Sequence, residues 1–212
     1  MGISQATAPR PGDAAVSLAP VLSWSTILAY SLPGIGTSFL TVLVAVLFMN
    51  FGTDVLLVSS IALGNILLAC KVWAAVSDPL AGYLSDRTQS HFGRRKPWIL
   101  GSALPLAIFS LMLWSPPEAL AGPALVAWLT VAAFGFFTAS TLFDIPNLAL
   151  GAQLSYDPRV RSRLFGARQL FRGFGLFAAF AIGATALEDL AGAREMARLL
   201  ALSAGVFSVL TI

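Results

Sequence analysis

Six long apolar segments, separated by short charged or turn-forming stretches, dominate this sequence. They cover residues 22–50, 56–84, 97–115, 122–150, 164–187 and 195–212. About 20 residues of helix cross the hydrocarbon core of a bilayer, so each segment is long enough or nearly long enough to span it. In the whole chain 11% of residues are charged, whereas about a quarter are charged in an ordinary globular domain. The sequence therefore predicts an all-α membrane protein with six transmembrane helices.

The two ends of the chain differ from this pattern. Residues 1–20 are rich in Ala, Pro, Gly and Ser, a composition typical of a disordered tail. The last apolar segment stops at Ile212 with no polar flank after it, although membrane helices normally end in interfacial anchors. We therefore expect a disordered cytoplasmic tail over 1–20 and a six-helix bundle over 21–212. We expect this bundle to be the first half of a longer protein whose second half is missing from the chain.

Basic residues concentrate in the second and fourth gaps between the apolar segments. The second gap holds Arg87, Arg94, Arg95 and Lys96, and the fourth holds Arg159, Arg161 and Arg163; the odd-numbered gaps carry Asp54, Glu118, Glu188 and Asp189. Loops with an excess of Arg and Lys stay on the cytoplasmic side. This pattern predicts a multi-pass protein with a cytoplasmic N-terminus, in a bacterial inner membrane. We interpret these basic residues as topology signals and not as a nucleic-acid-binding patch, so we expect no nucleic-acid partner.

The first basic gap contains an extended motif. It consists of Asp78-Pro79, Gly82, Asp86-Arg87, Gly93-Arg94-Arg95 and Lys96-Pro97-Trp98. Gly82, Asp86, Arg87 and the Gly93-Arg94-Arg95 run resemble the loop motif Gly-x-x-x-Asp-Arg-x-Gly-Arg-Arg of the major facilitator superfamily. The longer spacing created by residues 88–92 resembles the glycoside-pentoside-hexuronide:cation symporter family, which includes melibiose permease and the plant sucrose transporters.

This resemblance implies a fold and a function. The fold is the N-terminal half of a major facilitator transporter, with spans one to three and four to six as an inverted 3+3 repeat. The function is secondary active symport of a sugar or glycoside with a cation, by alternating access, and it requires a C-terminal half or a second copy of the chain. We expect the motif residues to hold a cytoplasmic gate closed, through packing and topology more than substrate contact; they are Gly82, Asp86, Arg87, Gly93, Arg94 and Arg95.

Lys71 and Asp78 lie inside the second apolar segment. Each charge near the bilayer centre costs roughly 2.5–3.5 kcal/mol, so intramembrane charges favour a function over a purely structural ion pair. They are two helical turns apart and share a face with Ala74. The resemblance assigns Asp78 to cation coupling. We expect Lys71, on the same face, to take part in it. Family members often carry a further acid of the cation site at the position of Ala74 and an acidic sugar ligand at the position of Ser38, and both acids are missing here. Sodium prefers several oxygen ligands, so we expect the coupling ion to be a proton.

Asp144 lies in the fourth segment, two residues before Pro146, where we expect the helix to loosen and expose backbone. The Asp-Ile-Pro sequence resembles the family's substrate site, so we expect Asp144 to bind substrate. Arg168 and Arg172 are four apart on the fifth segment; the family has a substrate or gating Arg near Arg168, and Arg172 is placed to pair with Asp144 or Asp78. Trp73 is a further substrate candidate, although interfacial or lipid packing is the usual role of such a residue.

Other functions remain open. A lysolipid or amphiphile carrier of the same superfamily is one, since Ser38, Ala74 and Leu148 replace polar or aromatic residues of sugar-carrying relatives. A truncated fragment or membrane scaffold without transport is another. An enzyme is disfavoured, because Cys70 and His91 are the only residues of their types and the sequence offers no catalytic triad, zinc motif or nucleotide-binding loop. We expect no cofactor beyond the coupling ion and contact with membrane lipid.

Overall fold

Residues 22–91, 93–155 and 157–188 are described by a computed structural model, and they form five helices with no strand among them. The helices are α1 (Trp24–Val55), α2 (Ser60–Arg87), α3 (Lys96–Trp114), α4 (Gly122–Leu154) and α5 (Pro158–Glu188). The first four are long and apolar enough to cross a membrane, which confirms the first four predicted spans. Helix α5 covers the fifth predicted span but, with its arginines, is not among those four. The predicted sixth span, the tail at 1–20 and Asp189 lie outside the described residues.

Helix α1 is longer and less regular than its apolar segment predicts. Its α-helical parts, Trp24–Ser31 and Pro33–Asn50, meet at Leu32, and a π-helical turn, Phe51–Val55, follows. The joint precedes Pro33, which has no N–H to donate to the preceding turn. Because the helix continues to Val55, the predicted turn at Gly52 and Asp54 is wrong. Both residues are helical, and Gly52 lies so close to the side chain of Leu63 on α2 that a Cβ would collide with it.

The basic gaps are shorter than predicted because the helices extend into them. Helix α2 ends at Arg87, so Asp86 and Arg87 occupy its last turn. Helix α5 starts at Pro158, a favoured first helical position, so the arginines predicted in the fourth gap are helical. One of them, Arg161, donates hydrogen bonds from Nη2 to the carbonyl oxygens of Ala152 and Ser155. These bonds satisfy carbonyls at the end of α4 that have no partner within the helix.

Helices α1 and α5 pack in parallel. The ring of Tyr30 meets that of Phe165 edge to face, and further along both helices Ser38 Oγ donates a 2.9 Å hydrogen bond to the carbonyl oxygen of Arg172. The approach is close because Gly175 faces Ser38 and the backbone of α1, where a Cβ would collide. Small residues at such crossings let membrane helices approach closely.

Helices α2 and α4 form a second parallel pair. Its contacts advance together along both chains, from Trp73 with Thr138 to Asp78 with Thr141. Helix α3 packs antiparallel on α4, with Gly135 against the ring of Phe109. Exchanging helices one and four, and two and five, turns the α1–α5 pair into the α4–α2 pair. This is the relation that an inverted repeat requires.

The core lies among α1, α2, α3 and α4. Its largest fully buried side chains include Phe48 on α1, Leu63 on α2, Leu113 on α3 and Phe136 on α4. Helix α4 crosses this core and continues through the buried Pro146 to Leu154 without a break. Asp144 therefore lies in a continuous helix, although Pro146 has no N–H to donate to the carbonyl oxygen of Leu142.

Candidate functional site

An ion-pair cluster joins α4 to α5 in the interior of the bundle. The Oδ1 atom of Asp144 lies 3.2 Å from Arg172 Nη1 and 3.5 Å from Arg168 Nη2. Arg168 is buried, and the side chains of Asp144 and Arg172 are each 28% exposed. The i, i+4 spacing of the arginines on α5 places both guanidinium groups on the same side of one carboxylate. The structure thus brings together three residues that the sequence predicted for substrate binding.

The cluster has one more positive than negative charge and unused hydrogen-bonding capacity. Its two guanidinium groups face one carboxylate, and the Nε atom of Arg168 has no hydrogen-bond partner among the described residues. A buried donor without a partner costs free energy. The cluster therefore offers both N–H donors and a carboxylate acceptor to a ligand that carries hydroxyl or anionic groups.

The second intramembrane carboxylate, Asp78, has a neutral partner. Thr141 Oγ1 donates a 2.8 Å hydrogen bond to Asp78 Oδ1 and links α4 to α2. The structure therefore leaves Asp78 with a hydroxyl contact where Asp144 has two cations. A carboxylate of this kind keeps lone pairs available for a proton or a metal cation.

The two carboxylates belong to one continuous polar region. Thr141 and Asp144 are three residues apart on α4, so they occupy neighbouring positions on one helix face. Thr141, which is bonded to Asp78, therefore connects the acid on α2 to the face of α4 that carries Asp144.

Lys71 and Trp73 contact α4 at other points. The ammonium group of Lys71 lies 5.2 Å from the centre of the Phe137 ring, a cation–π arrangement. Trp73 Nε1 donates a 2.9 Å hydrogen bond to Thr138 Oγ1, and Trp73 lines a cavity of about 530 Å³ between α2, α3 and α4 with Phe109 and Phe134. Neither Asp78 nor Asp144 lines that cavity. The structure therefore does not bring Trp73 together with the Asp144 cluster.

Ser38, which stands where family members often carry an acid, packs between helices. It is buried, and its hydroxyl is bonded to the α5 backbone against Gly175. A longer side chain at this position would collide with α5. The small side chain of Ser38 therefore fits the close α1–α5 contact, whereas an acid at this position would not.

The predicted gate residues lie at the basic end of the bundle, where α2 ends and α3 begins. Arg95 donates from Nε and Nη2 to Asp86 Oδ1, with the Nε contact at 3.2 Å. The guanidinium group of Arg87 lies 4.6 Å from the centre of the Tyr83 ring. Gly93 has a positive φ of 95°, which favours glycine in the connecting turn. Gly82 faces Ile145 of α4, and Arg94 is exposed.

Sequence reasoning missed the hydroxyl residues that position the acids. Thr141 and Thr138 on α4 contact two of the predicted side chains on α2. Their i, i+3 spacing, continued by Asp144, was the available signal. Among the described residues, no group of three His, Cys, Asp or Glu side chains is arranged to hold a metal ion.

Known proteins resemble this chain over most of its length. Residues 29–212 match the family described as MFS/sugar transport protein. The glucuronide carrier protein homolog of Escherichia coli is 34% identical over 149 residues, which cover 69% of this chain and 32% of that protein. The isoprimeverose transporter of Lactiplantibacillus pentosus is 28% identical, covering 81% and 36%. The sodium-dependent lysophosphatidylcholine symporter 1-A of Danio rerio is 31% identical, covering 62% and 25%. The chain thus spans between 25% and 36% of the length of these curated relatives.

Proposed function

Because the chain belongs to the MFS/sugar transport protein family, we propose that it forms part of a cation-coupled symporter that carries a sugar or glycoside across a membrane by alternating access. The observation that carries this proposal is the pair of intramembrane carboxylates, Asp78 and Asp144, which share one polar region but have different partners. Charges inside a membrane protein are costly unless they are paired or used. One carboxylate is paired with cations, and the other is available to bind a cation.

The Asp144 cluster is the proposed substrate site. A sugar presents hydroxyl groups that both donate and accept hydrogen bonds, and the cluster supplies an acceptor at Asp144 and donors at Arg168 and Arg172. The free Nε donor of Arg168 would gain a partner when substrate binds. We place Trp73 outside this contact set, and its stacking on a sugar would require the α2–α3–α4 cavity to connect with the cluster.

Asp78 is the proposed coupling group, and a proton is the proposed ion. Sodium is bound by several oxygen ligands, often including carboxylates, whereas the neighbouring position one turn earlier on α2 is Ala74. A single carboxylate with one hydroxyl partner is sufficient to bind and release a proton. Lys71, on the same helix and held over the ring of Phe137, is the second charged residue proposed for the coupling region.

The proposed orientation puts the basic end of the bundle in the cytoplasm. Lys96, Arg95, Arg159 and the other bases of the two loops lie where α2 and α4 end and α3 and α5 begin. The positive-inside tendency then places the N-terminus on the cytoplasmic side, in a bacterial inner membrane if the host matches most of the sugar-carrying relatives. The Asp86–Arg95 ion pair would hold α2 and α3 together in the closed gate.

A second six-helix bundle, either a C-terminal half or a second copy of the chain, is proposed to complete the pathway. The supporting observation is the exposed Lys71 on α2, flanked by exposed apolar side chains such as Val72 and Val76. A lysine that faced lipid at this depth would be costly. A partner bundle or a water-filled cavity against this face avoids that cost.

Uptake measurements test the proposal. Membrane vesicles that carry the protein are given an inward proton gradient, an inward sodium gradient or neither, and accumulation is measured for a panel of radiolabelled glycosides and hexuronides. The proposal expects at least one sugar to accumulate above its external concentration with the proton gradient. If no sugar accumulates with either gradient, while empty and protein-containing vesicles are equally tight, the proposed function is wrong. Accumulation with sodium alone would contradict only the choice of ion.

A lysolipid carrier is the second candidate. The lysophosphatidylcholine symporter among the relatives and the largely apolar cavity that Trp73 lines favour it. The same vesicles distinguish the two candidates. Competition of the labelled uptake by lysophosphatidylcholine, together with the absence of competition by unlabelled sugars, would support the lysolipid carrier.

A further inference from the structure

The charged side chains in the middle of the described helices fall into two groups. Five of them lie more than two turns from either helix end: Lys71, Asp78, Asp144, Arg168 and Arg172. Lys71 stands apart, because it is exposed and lies over the ring of Phe137. The other four belong to one polar region, in which Thr141 connects Asp78 to the face of α4 that carries the Asp144 cluster.

This polar region is electrically neutral when both of its acids are ionised. The two carboxylates carry two negative charges, and the guanidinium groups of Arg168 and Arg172 carry two positive charges. Arginine is not deprotonated in proteins, so only the acids can change the charge of the region. A proton on Asp78, the proposed coupling group, would therefore leave the region with one net positive charge.

An uncompensated charge in the interior of a membrane protein is costly, because its surroundings solvate ions poorly. A neutral sugar bound at the Asp144 cluster would not compensate the charge that a proton on Asp78 creates. A sugar with one negative charge would, since its charge and those of the protonated region again sum to zero. The empty region and the fully loaded region then carry the same charge, whereas either ligand alone leaves one charge unpaired.

Arg172 is placed to receive the negative group of such a sugar. Its side chain is 28% exposed, whereas Arg168 is buried, and it donates to Asp144 through Nη1. A guanidinium group has five N–H donors in one plane, so it can bind a second carboxylate beside the first. The repulsion between Asp144 and a bound anion is offset because Arg168 also contacts the Asp144 carboxylate.

The charge of the region also limits the kind of anion. A phosphate monoester carries about −1.5 to −2 charges at neutral pH and would leave the loaded region negative. A carboxylate carries a single charge and has the planar shape that pairs with a guanidinium group. The polar region therefore matches a carboxylate better than a phosphate.

Starting from the proposed function, we infer that the transported sugar carries one carboxylate, as a uronic acid or its glycoside does, and moves with one proton as an electrically neutral pair. The carboxylate binds Arg172, and hydroxyl groups of the sugar donate to Asp144. A proton on Asp78 creates the positive charge that attracts the anion, and the bound anion favours protonation of Asp78 to the same extent. Lys71 adds the same charge to the empty and the loaded state.

Uptake of matched sugars tests this inference in the vesicles described above. Labelled methyl hexuronides are compared with the neutral methyl hexosides of the same ring configuration. An inward proton gradient should accumulate a hexuronide about tenfold or more above its matched hexoside, because a hydrogen-bonded charge contributes at least that factor. A potassium diffusion potential, negative inside and without a proton gradient, should accumulate neither sugar, since the transported pair carries no net charge.

Two variants assign the preference to Arg172. Arg172→Gln removes the positive charge and should lower the ratio of hexuronide to hexoside uptake about tenfold or more, whereas Arg172→Lys should keep most of it. Arg163→Ala, at an exposed position on α5, is the control for a general loss of positive charge and should behave as the wild type. An equal loss of preference in Arg163→Ala and Arg172→Gln would overturn the assignment to Arg172.

The wild-type protein decides the inference even if Arg172→Gln does not fold. Accumulation of a neutral hexoside, driven by the membrane potential, would overturn the inference and leave the proposed function intact. Accumulation of a hexuronide by the membrane potential alone would show that the transported pair is charged. If no sugar accumulates under any gradient, the proposed function fails, and this inference fails with it.

Discussion

The two parallel helix pairs, α1–α5 and α2–α4, occupy equivalent places in the inverted repeat but are held together differently. Helix α5 approaches α1 through Gly175 and supplies two arginines to Asp144 of α4. Helix α2 meets α4 through neutral hydrogen bonds to Thr138 and Thr141. One intramembrane acid is thus paired with two cations, and the other is bonded to a hydroxyl.

From this difference we expect the Asp144 cluster to matter mainly for stability and Asp78 to matter mainly for binding of the proposed coupling ion. The Asp144 cluster is a partly buried ion-pair network, so removing one of its charges leaves the others without a counter-charge and destabilises the bundle. Asp78 has a hydroxyl partner that accommodates either the charged or the protonated acid, because a hydroxyl both donates and accepts hydrogen bonds. Changes at Asp144 should therefore affect folding first, and changes at Asp78 should affect coupling first.

The largest expected effect on stability is at Asp144. Asp144→Leu leaves the guanidinium groups of Arg168 and Arg172 near each other without a counter-charge, and we expect a loss of about 3–5 kcal/mol. Thermal unfolding in detergent, followed by circular dichroism, measures it. Asp54→Asn, at an exposed acid, is the control and should leave the unfolding midpoint within error. A midpoint for Asp144→Leu equal to that of the wild type would show that the cluster adds no stability.

The next effect concerns the closeness of the two helix pairs. Gly175→Ala on α5 introduces a Cβ that collides with Ser38 and the α1 backbone, and we expect about 1–3 kcal/mol of destabilisation. Gly82→Ala on α2 places its Cβ 3.7 Å from Ile145, an ordinary contact, and should be neutral or slightly stabilising. Thermal unfolding of both variants distinguishes the pairs. Equal midpoints would mean that α1 and α5 are no closer than α2 and α4.

A comparable effect on stability is expected at Thr141, which bonds to Asp78. Thr141→Val keeps the shape of the side chain but removes the hydrogen bond to Asp78, and a hydrogen bond to a charged group contributes about 1.5–3 kcal/mol. We expect a modest loss of stability and a shifted dependence of uptake on external pH. Thr130→Val on the same helix is the control, because its hydroxyl bonds only to the backbone at Val126. An identical pH dependence in the Thr141 and Thr130 variants would show that Thr141 does not act on Asp78.

The smallest effect is expected at the Asp86–Arg95 ion pair of the proposed gate. The side chain of Asp86 is 59% exposed, and exposed ion pairs contribute about 0–1 kcal/mol. Asp86→Asn should therefore leave the unfolding midpoint almost unchanged, even if it alters the rate of transport. A loss of stability as large as that of Asp144→Leu would mean that the gate is a buried structural network.

The apolar periods and charged gaps of the sequence predicted the first four helices and their order, because hydrocarbon thickness sets the length of a span. Helix ends were less predictable: Asp86, Arg87 and Arg159 join helices because helical backbone satisfies its own hydrogen bonds, whatever the charge of the side chains. Pro146 did not end α4, in which it is buried.

The candidate site was predictable for its acids and arginines, since charges in apolar segments are rare enough to single out. Their partners were not. Thr141 and Thr138 look like ordinary helix residues until α2 is placed beside α4.

Transport by two isosteric variants, Asp78→Asn and Asp144→Asn, tests the different roles of the two acids most directly. Both proteins are placed in vesicles, and uphill accumulation driven by a proton gradient is measured beside exchange of labelled for unlabelled substrate. The account predicts that Asp78→Asn abolishes accumulation and keeps exchange, whereas Asp144→Asn loses both. Accumulation against a gradient by Asp78→Asn would contradict it.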